Sequence, residues 1–89
     1  MEKPLRILHL EDNDNDAVLI RRALVRSGLN VDVERVSAPA EFEQALKRGG
    51  YDLIISDNRI PGYDGMAAFK AAQEAGATTP FMFVTPREV

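Results

Sequence analysis

Apolar residues along the chain fall into four short runs, separated by three longer stretches in which they recur every three or four positions. The short runs cover Leu5–Leu10, Val31–Val36, Leu53–Ile55 with its end at Asp57, and Phe81–Val84. Short runs rich in aliphatic and β-branched residues are typical of strands. The second run partly alternates with charged residues, which is typical of a half-exposed strand. The pattern therefore predicts four strands.

The three intervening stretches show the periodicity of amphipathic helices. The first runs from about Asn15 to Ser27 and is followed by Gly28, a residue type that commonly ends helices. The second begins at Pro39, since proline suits the first position of a helix, and it ends at Gly49-Gly50. The third runs from about Met66 to Ala75. The sequence thus predicts the order β-α-β-α-β-α-β.

This alternating order predicts an α/β fold. Strands that alternate with helices form parallel sheets with right-handed crossovers. The flavodoxin-like arrangement places the first and third strands side by side, which gives the strand order 2-1-3-4. The runs Leu53–Ile55 and Phe81–Val84 have apolar residues on both faces, as in a sheet that helices cover on both sides.

Acidic residues stand at the carboxyl ends of the two strands that are expected to be neighbours. Glu11 and Asp12 follow the first strand, and Asp57 ends the third. Neighbouring strands lie about 5 Å apart, so the three carboxylates should converge at one edge of the sheet. Two carboxylates at that distance repel each other by roughly 3 kcal/mol at an effective dielectric constant of 20. Such a cluster takes up protons or binds a cation.

Oxygen ligands of this kind favour Mg²⁺ over a softer metal ion. Mg²⁺ bound by few protein ligands leaves coordination positions for a phosphate group. A carboxylate beside the ion can then act as a nucleophile and form an aspartyl phosphate. Thr85, at the end of the fourth strand, adds a hydroxyl that can donate a hydrogen bond to a phosphoryl oxygen.

Composition narrows the class of protein without identifying it. The 89 residues are enough for one domain, and 45% hydrophobic with 28% charged residues is ordinary for a globular protein. A net charge of -3 and a pI of about 5.0 give no electrostatic reason to expect binding to nucleic acid or an anionic membrane. The absence of cysteine excludes disulfides and thiolate metal sites, and it fits a reducing, cytoplasmic location.

Taken together, these segments resemble the response-regulator receiver domain, the CheY-like family of two-component signalling. The resemblance rests on the acidic pair after the first strand, on IISDNRIPGYDG around Asp57, and on FMFVT ending in Thr85. It covers almost the entire chain in the family's order and spacing. It implies that Asp57 is the phosphoacceptor and Thr85 the switch hydroxyl. It also implies that Mg²⁺ is held by Glu11, Asp12, Asp57 and the backbone carbonyl of Arg59.

The resemblance also implies the chain's partners. The phosphoryl donor would be a phosphohistidine on a sensor histidine kinase or a phosphotransfer protein, and the output would be a shift in surface conformation. On this interpretation the chain is a signalling module and not an enzyme.

The chain departs from the family in two respects. It stops after the fourth strand, whereas a receiver has a fifth strand, which begins with a lysine that contacts the phosphoryl group, and two more helices. We therefore expect residues 1–89 to be a partial receiver domain. In addition, Pro86 follows Thr85 and has no N–H to offer the phosphoryl group. These departures predict phosphorylation of Asp57 that is very slow or undetectable. The open edge along Phe81–Val84 predicts a homo-oligomer, for which we expect a two-fold dimer.

Two other functions are compatible with parts of the sequence. Asp12-x-Asp14 after an apolar strand resembles the nucleophile motif of haloacid-dehalogenase-type phosphatases, although Asp16 stands where that family has Thr or Val. The chain could also be an inactive structural or interaction fragment. His9 is interpreted as a packed strand residue and not as a ligand.

Overall fold

Four parallel strands form the main sheet of the protein, in a computed structural model that describes residues 3–57, 59–60, 63–76 and 78–84. The strands of the main sheet are β1 (Leu5–Leu10), β2 (Val31–Val36), β3 (Leu53–Asp57) and β6 (Phe81–Val84). The strand order in this sheet is β2-β1-β3-β6, so the predicted order 2-1-3-4 is confirmed. The helices are α1 (Asp14–Arg26), α2 (Pro39–Arg48) and α3 (Gly65–Glu74).

A second, two-stranded sheet follows β3 directly. It consists of β4 (Arg59–Ile60) and β5 (Tyr63–Asp64), which pair antiparallel. The sequence analysis predicted neither strand, because a two-residue strand is too short to show any alternation of apolar and polar positions.

Local sequence explains where the first two helices begin and end. The side chain of Asn13 accepts a hydrogen bond from the backbone N–H of Asp16 at 2.9 Å and so caps the start of α1. Pro39 lies in the first turn of α2, where no backbone N–H is needed. That helix is followed by Gly49, whose φ of 71° lies in the left-handed region that glycine adopts without strain. The predicted boundaries of both helices hold to within one residue.

The main hydrophobic core lies on the face of the sheet that α2 and α3 cover. Leu8, Leu10 and Ile54 belong to this core, together with Phe42 of α2 and Ala68 of α3, and all five side chains are buried. Strand residues that alternate with these point to the opposite face of the sheet. There, α1 lies beside β2 and borders a groove of about 520 Å³ at His9.

The strand β6 is only half covered at the edge of the sheet. The ring of Phe69 from α3 packs against Phe81, with ring centroids 5.5 Å apart. Met82 and Phe83 are nevertheless 49% and 44% exposed. Helices therefore do not cover this run on both faces in the described part of the chain, which agrees with the open edge that the sequence predicts along Phe81–Val84. Among the described residues β6 pairs with β3 alone and forms an edge, like β2 on the other side.

The described helices are all too short or too polar to cross a membrane.

Candidate metal and phosphoacceptor site

Three carboxylates converge where β1 and β3 end. The two strands pair in parallel register up to Leu10 and Ser56, which places the next residues, Glu11 and Asp57, side by side. One carboxylate oxygen from each of Glu11, Asp12 and Asp57 lies within 4.8 Å of the others. Glu11 and Asp57 are buried, at 0% and 5% exposure, whereas Asp12 is exposed. The structure thus brings together the three acids that the sequence analysis selected.

Hydrogen bonds donated by its own backbone N–H groups hold the loop that carries Glu11 and Asp12. The N–H of Glu11 donates to the carbonyl of Val36 at 2.9 Å, which extends the pairing of β1 with β2 by one residue. The N–H of Asn13 donates to Glu11 Oε2 at 3.1 Å. Because Asn13 also caps α1, the loop turns directly from the strand into the helix.

The other oxygen of Glu11 defines what the cluster can bind. Glu11 Oε1 is buried and has no hydrogen-bond donor among the described residues. Burial raises the pKa of Glu11 to about 7; the N–H of Asn13 opposes this shift, and the neighbouring Asp57 carboxyl adds to it. A buried carboxylate oxygen without a donor, beside two more carboxylates, needs a proton or a cation. The donor set, oxygen atoms alone, fits a hard divalent cation.

His9 lies next to this cluster but is not part of it. Its side chain is 1% exposed, and Nδ1 has no hydrogen-bond partner among the described residues. Burial, reinforced by the positive charge of Arg35, lowers the pKa of His9 to about 4, although the Asp57 carboxylate acts in the other direction. The imidazole is therefore neutral near neutral pH, and His9 is a packed strand residue, as its place in the first strand predicted.

Thr85 and Arg59 are the two remaining residues of the predicted site. Thr85, the predicted switch hydroxyl, falls outside the described residues, as does Pro86. Arg59 is the first residue of β4, two positions beyond Asp57, and its carbonyl stays a predicted ligand.

The sequence analysis missed one residue at this site, Arg35 on β2. Its Nε donates to the backbone carbonyl of Glu11 at 2.9 Å, and its Nη1 donates to Asp14 Oδ1 at 2.7 Å. A single arginine in a half-exposed strand belongs to no motif. The sequence contained one signal for it. Arg35 stands one residue before the end of the second strand, which was predicted to lie beside the first.

Comparisons with known proteins agree with this geometry. A family model described as the response regulator receiver domain matches residues 7–89. The transcriptional regulatory protein PcoR from Escherichia coli is 31% identical over 83 residues, which cover 93% of this chain. The chain spans only 36% of the length of PcoR.

Two solved receiver domains have the same fold. The receiver domain of the hybrid histidine kinase CckA is 34% identical, with a TM-score of 0.73; the match covers 88% of this chain and 72% of that one. The receiver domain of the sensor histidine kinase PA1611 from Pseudomonas aeruginosa is 30% identical, with a TM-score of 0.75, and covers 91% of this chain and 66% of that one. The latter was solved with a magnesium ion coordinated in its active site cleft.

These matches do not favour the phosphatase alternative, in which Asp12 would be the nucleophile. The order and spacing of the whole chain match receiver domains. In addition, Asp57 is buried at the end of a central strand of the sheet, whereas Asp12 is exposed on a loop.

The family match also corrects the prediction that the chain is not an enzyme. In a phosphoacceptor domain, the domain's own carboxylate is the nucleophile to which a phosphoryl group is covalently transferred. A plain exclusion of catalysis therefore does not describe this chain. The pattern of strands and acids does not distinguish a carboxylate that only accepts a phosphoryl group from one whose surroundings promote the transfer.

The family model matches residues 7–89, and a solved receiver domain of the same fold is 34% identical. Both findings agree with the acids that lie at the ends of β1 and β3. The chain belongs to the response regulator receiver domains, the phosphoacceptor modules of two-component signalling.

Proposed function

We propose that Asp57 accepts a phosphoryl group and that Glu11, Asp12, Asp57 and the carbonyl of Arg59 bind the Mg²⁺ that this transfer needs. The observation that carries the proposal is the convergence of three carboxylates within 4.8 Å, one of which has a buried oxygen without a donor. The magnesium ion in the PA1611 receiver domain supports the choice of metal.

The donor that fits this chemistry is a phosphohistidine on a sensor histidine kinase or a phosphotransfer protein. A carboxylate oxygen of Asp57 attacks the phosphorus atom, the phosphorus–nitrogen bond breaks, and the imidazole keeps the electron pair and takes up a proton. The product is an acyl phosphate on Asp57. When bound, Mg²⁺ offsets the negative charge of the carboxylates and the phosphoryl oxygens. The hydroxyl of Thr85 donates a hydrogen bond to the transferred group.

Asp57 suits this role because it is 95% buried at the end of a central strand, with its backbone paired to β6 at Val84. A nucleophile on a strand is held more rigidly than one on a loop. Asp12, being exposed on the loop, suits a ligand that meets the ion from the solvent side.

The first prediction concerns Mg²⁺ binding. We expect the unsubstituted chain to bind Mg²⁺ weakly, and Asp12→Ala and Asp57→Ala each to weaken binding by at least about tenfold, because each removes an oxygen ligand. Isothermal titration calorimetry or an NMR titration measures the affinity. Asp32→Ala is the matched control, since it removes an exposed acid of β2 that lies 4.0 Å from Arg6. Unchanged affinity in both site variants would contradict the assignment.

The second prediction is that a proton on Glu11 competes with Mg²⁺. Because its pKa is raised to about 7, Glu11 must lose a proton to bind the ion at lower pH. The affinity should fall by roughly tenfold between about pH 7.5 and about pH 6. Glu11→Gln should bind more weakly overall and lose most of this pH dependence. An equally steep pH dependence in Glu11→Gln would assign the proton to another group.

The metal-free chain gives an independent measurement of the same pKa. Between 4.5 and about 7 the folded state holds a proton on Glu11 that the unfolded chain releases. The contribution of Glu11 to the free energy of unfolding therefore decreases as the pH rises through this window. Denaturant titrations of the unsubstituted chain and Glu11→Gln should differ in this slope.

The third prediction concerns phosphorylation. Acetyl phosphate should label the chain slowly, because Pro86 offers no N–H to the phosphoryl group. Asp57→Asn should abolish the labelling. Pro86→Ala restores an N–H and should accelerate it, by up to about 100-fold if this donor reaches the phosphoryl group. Phosphate-affinity gels or intact mass spectrometry follow the reaction. Labelling that persists in Asp57→Asn would refute Asp57 as the acceptor.

The fourth prediction concerns self-association, for which we propose a two-fold dimer through β6. This strand is an edge among the described residues, carries no charge, and exposes Met82 and Phe83. Sedimentation should show a dimer that Phe83→Lys dissociates. Leu19→Lys places the same charge at an exposed position of α1 and should leave the dimer intact. A monomer at millimolar concentration would contradict the proposal.

A further inference from the structure

Arg35 holds the loop of the acidic cluster at two points. It lies on β2 directly opposite His9 of β1, and its side chain extends toward the carboxyl end of β1. One hydrogen bond reaches the carbonyl of Glu11, at 2.9 Å, and the other reaches the carboxylate of Asp14, at 2.7 Å. The two acceptors stand before and after Asp12 in the chain, so the guanidinium anchors the loop on both sides of that residue.

We propose that Arg35 is a positioning residue for the metal site, one that keeps Asp12 close to Glu11 and Asp57. The inference rests on the proposed function, because it concerns the same Mg²⁺ site. The three carboxylates repel one another, and the exposed Asp12 is the one that can move away. An anchor on both sides of Asp12 opposes this movement before the ion binds. The loop therefore loses less conformational entropy when the ion binds.

The two hydrogen bonds differ in their expected importance. Asp14 is 88% exposed, and exposed ion pairs contribute little. The side chain of Arg35 is 30% exposed, and its bond to the Glu11 carbonyl is partly buried. Glu11 is itself fully buried, so this carbonyl has few alternative donors. The bond to the carbonyl is therefore the main anchor, and the pair with Asp14 is secondary.

The charge of Arg35 acts in the opposite direction to its hydrogen bonds. A guanidinium close to the cluster repels a bound cation, so a purely electrostatic role would make Mg²⁺ bind more tightly once Arg35 is removed. A positioning role makes it bind more weakly. Lysine separates the two roles, because it keeps the charge but has no planar fork that reaches both acceptors.

The experiment is a Mg²⁺ titration of four variants, followed by NMR, with thermal unfolding measured in parallel. Arg35→Ala and Arg35→Lys should each weaken binding by about tenfold, the usual effect of removing a group that orients a metal ligand. Asp14→Asn should have a smaller effect. Arg48→Ala removes an arginine that pairs with Glu34 of the same strand and should bind like the unsubstituted chain. In the metal-free Arg35 variants, the amide resonances of Asp12 and Asn13 should shift.

The outcomes separate this inference from the proposed function. If Arg35→Ala does not fold, the folded Arg35→Lys variant decides. Unchanged or tighter binding in the Arg35 variants, with the unsubstituted chain binding Mg²⁺, would overturn the positioning role alone. If the unsubstituted chain binds no Mg²⁺, the proposed metal site and this inference both fall.

Discussion

The site depends on the parallel pairing of β1 with β3. Leu10 lies opposite Ser56 in this pairing, and the residues that follow are both acids. A shift of the register by one residue would turn the acid of one strand to the other face of the sheet. The apolar residues of both strands fix the register, because Leu8, Leu10 and Ile54 have to face the core under α2 and α3. The packing of the core thus determines the geometry of the carboxylates.

This arrangement makes the electrostatic energy at the end of the sheet unfavourable. Two buried carboxylates lie side by side, and one oxygen of Glu11 has no donor among the described residues. The raised pKa of Glu11 reflects that unfavourable energy. The surrounding hydrogen bonds, from Asn13 and Arg35 in particular, hold the loop without neutralising the cluster. A site that is destabilised in this way gains when a cation binds, which couples the stability of the fold to occupation of the site.

The main fold of the chain agrees with that of the matched family. The edge strand β6 carries exposed apolar residues. The chain spans 36% of the length of PcoR. Among the described residues the main sheet ends at β6, where Met82 and Phe83 are exposed. Exposed apolar residues on an edge strand favour pairing with a further segment, whether from a second copy or from elsewhere.

The sequence by itself determined the succession of helices and main-sheet strands along the chain and the helix boundaries, because apolar periodicity and the residues at helix ends are local signals. The strand order followed from the flavodoxin-like arrangement that this succession favours. It also identified Glu11, Asp12 and Asp57, since acids at the ends of neighbouring parallel strands must meet. Only the tertiary structure showed Arg35, because its contact with Glu11 joins residues 24 positions apart and follows from the register of β2. The pKa of Glu11 and the exposed fractions of Met82 and Phe83 were likewise decided by packing, since burial depends on which elements cover a residue and not on its neighbours in sequence.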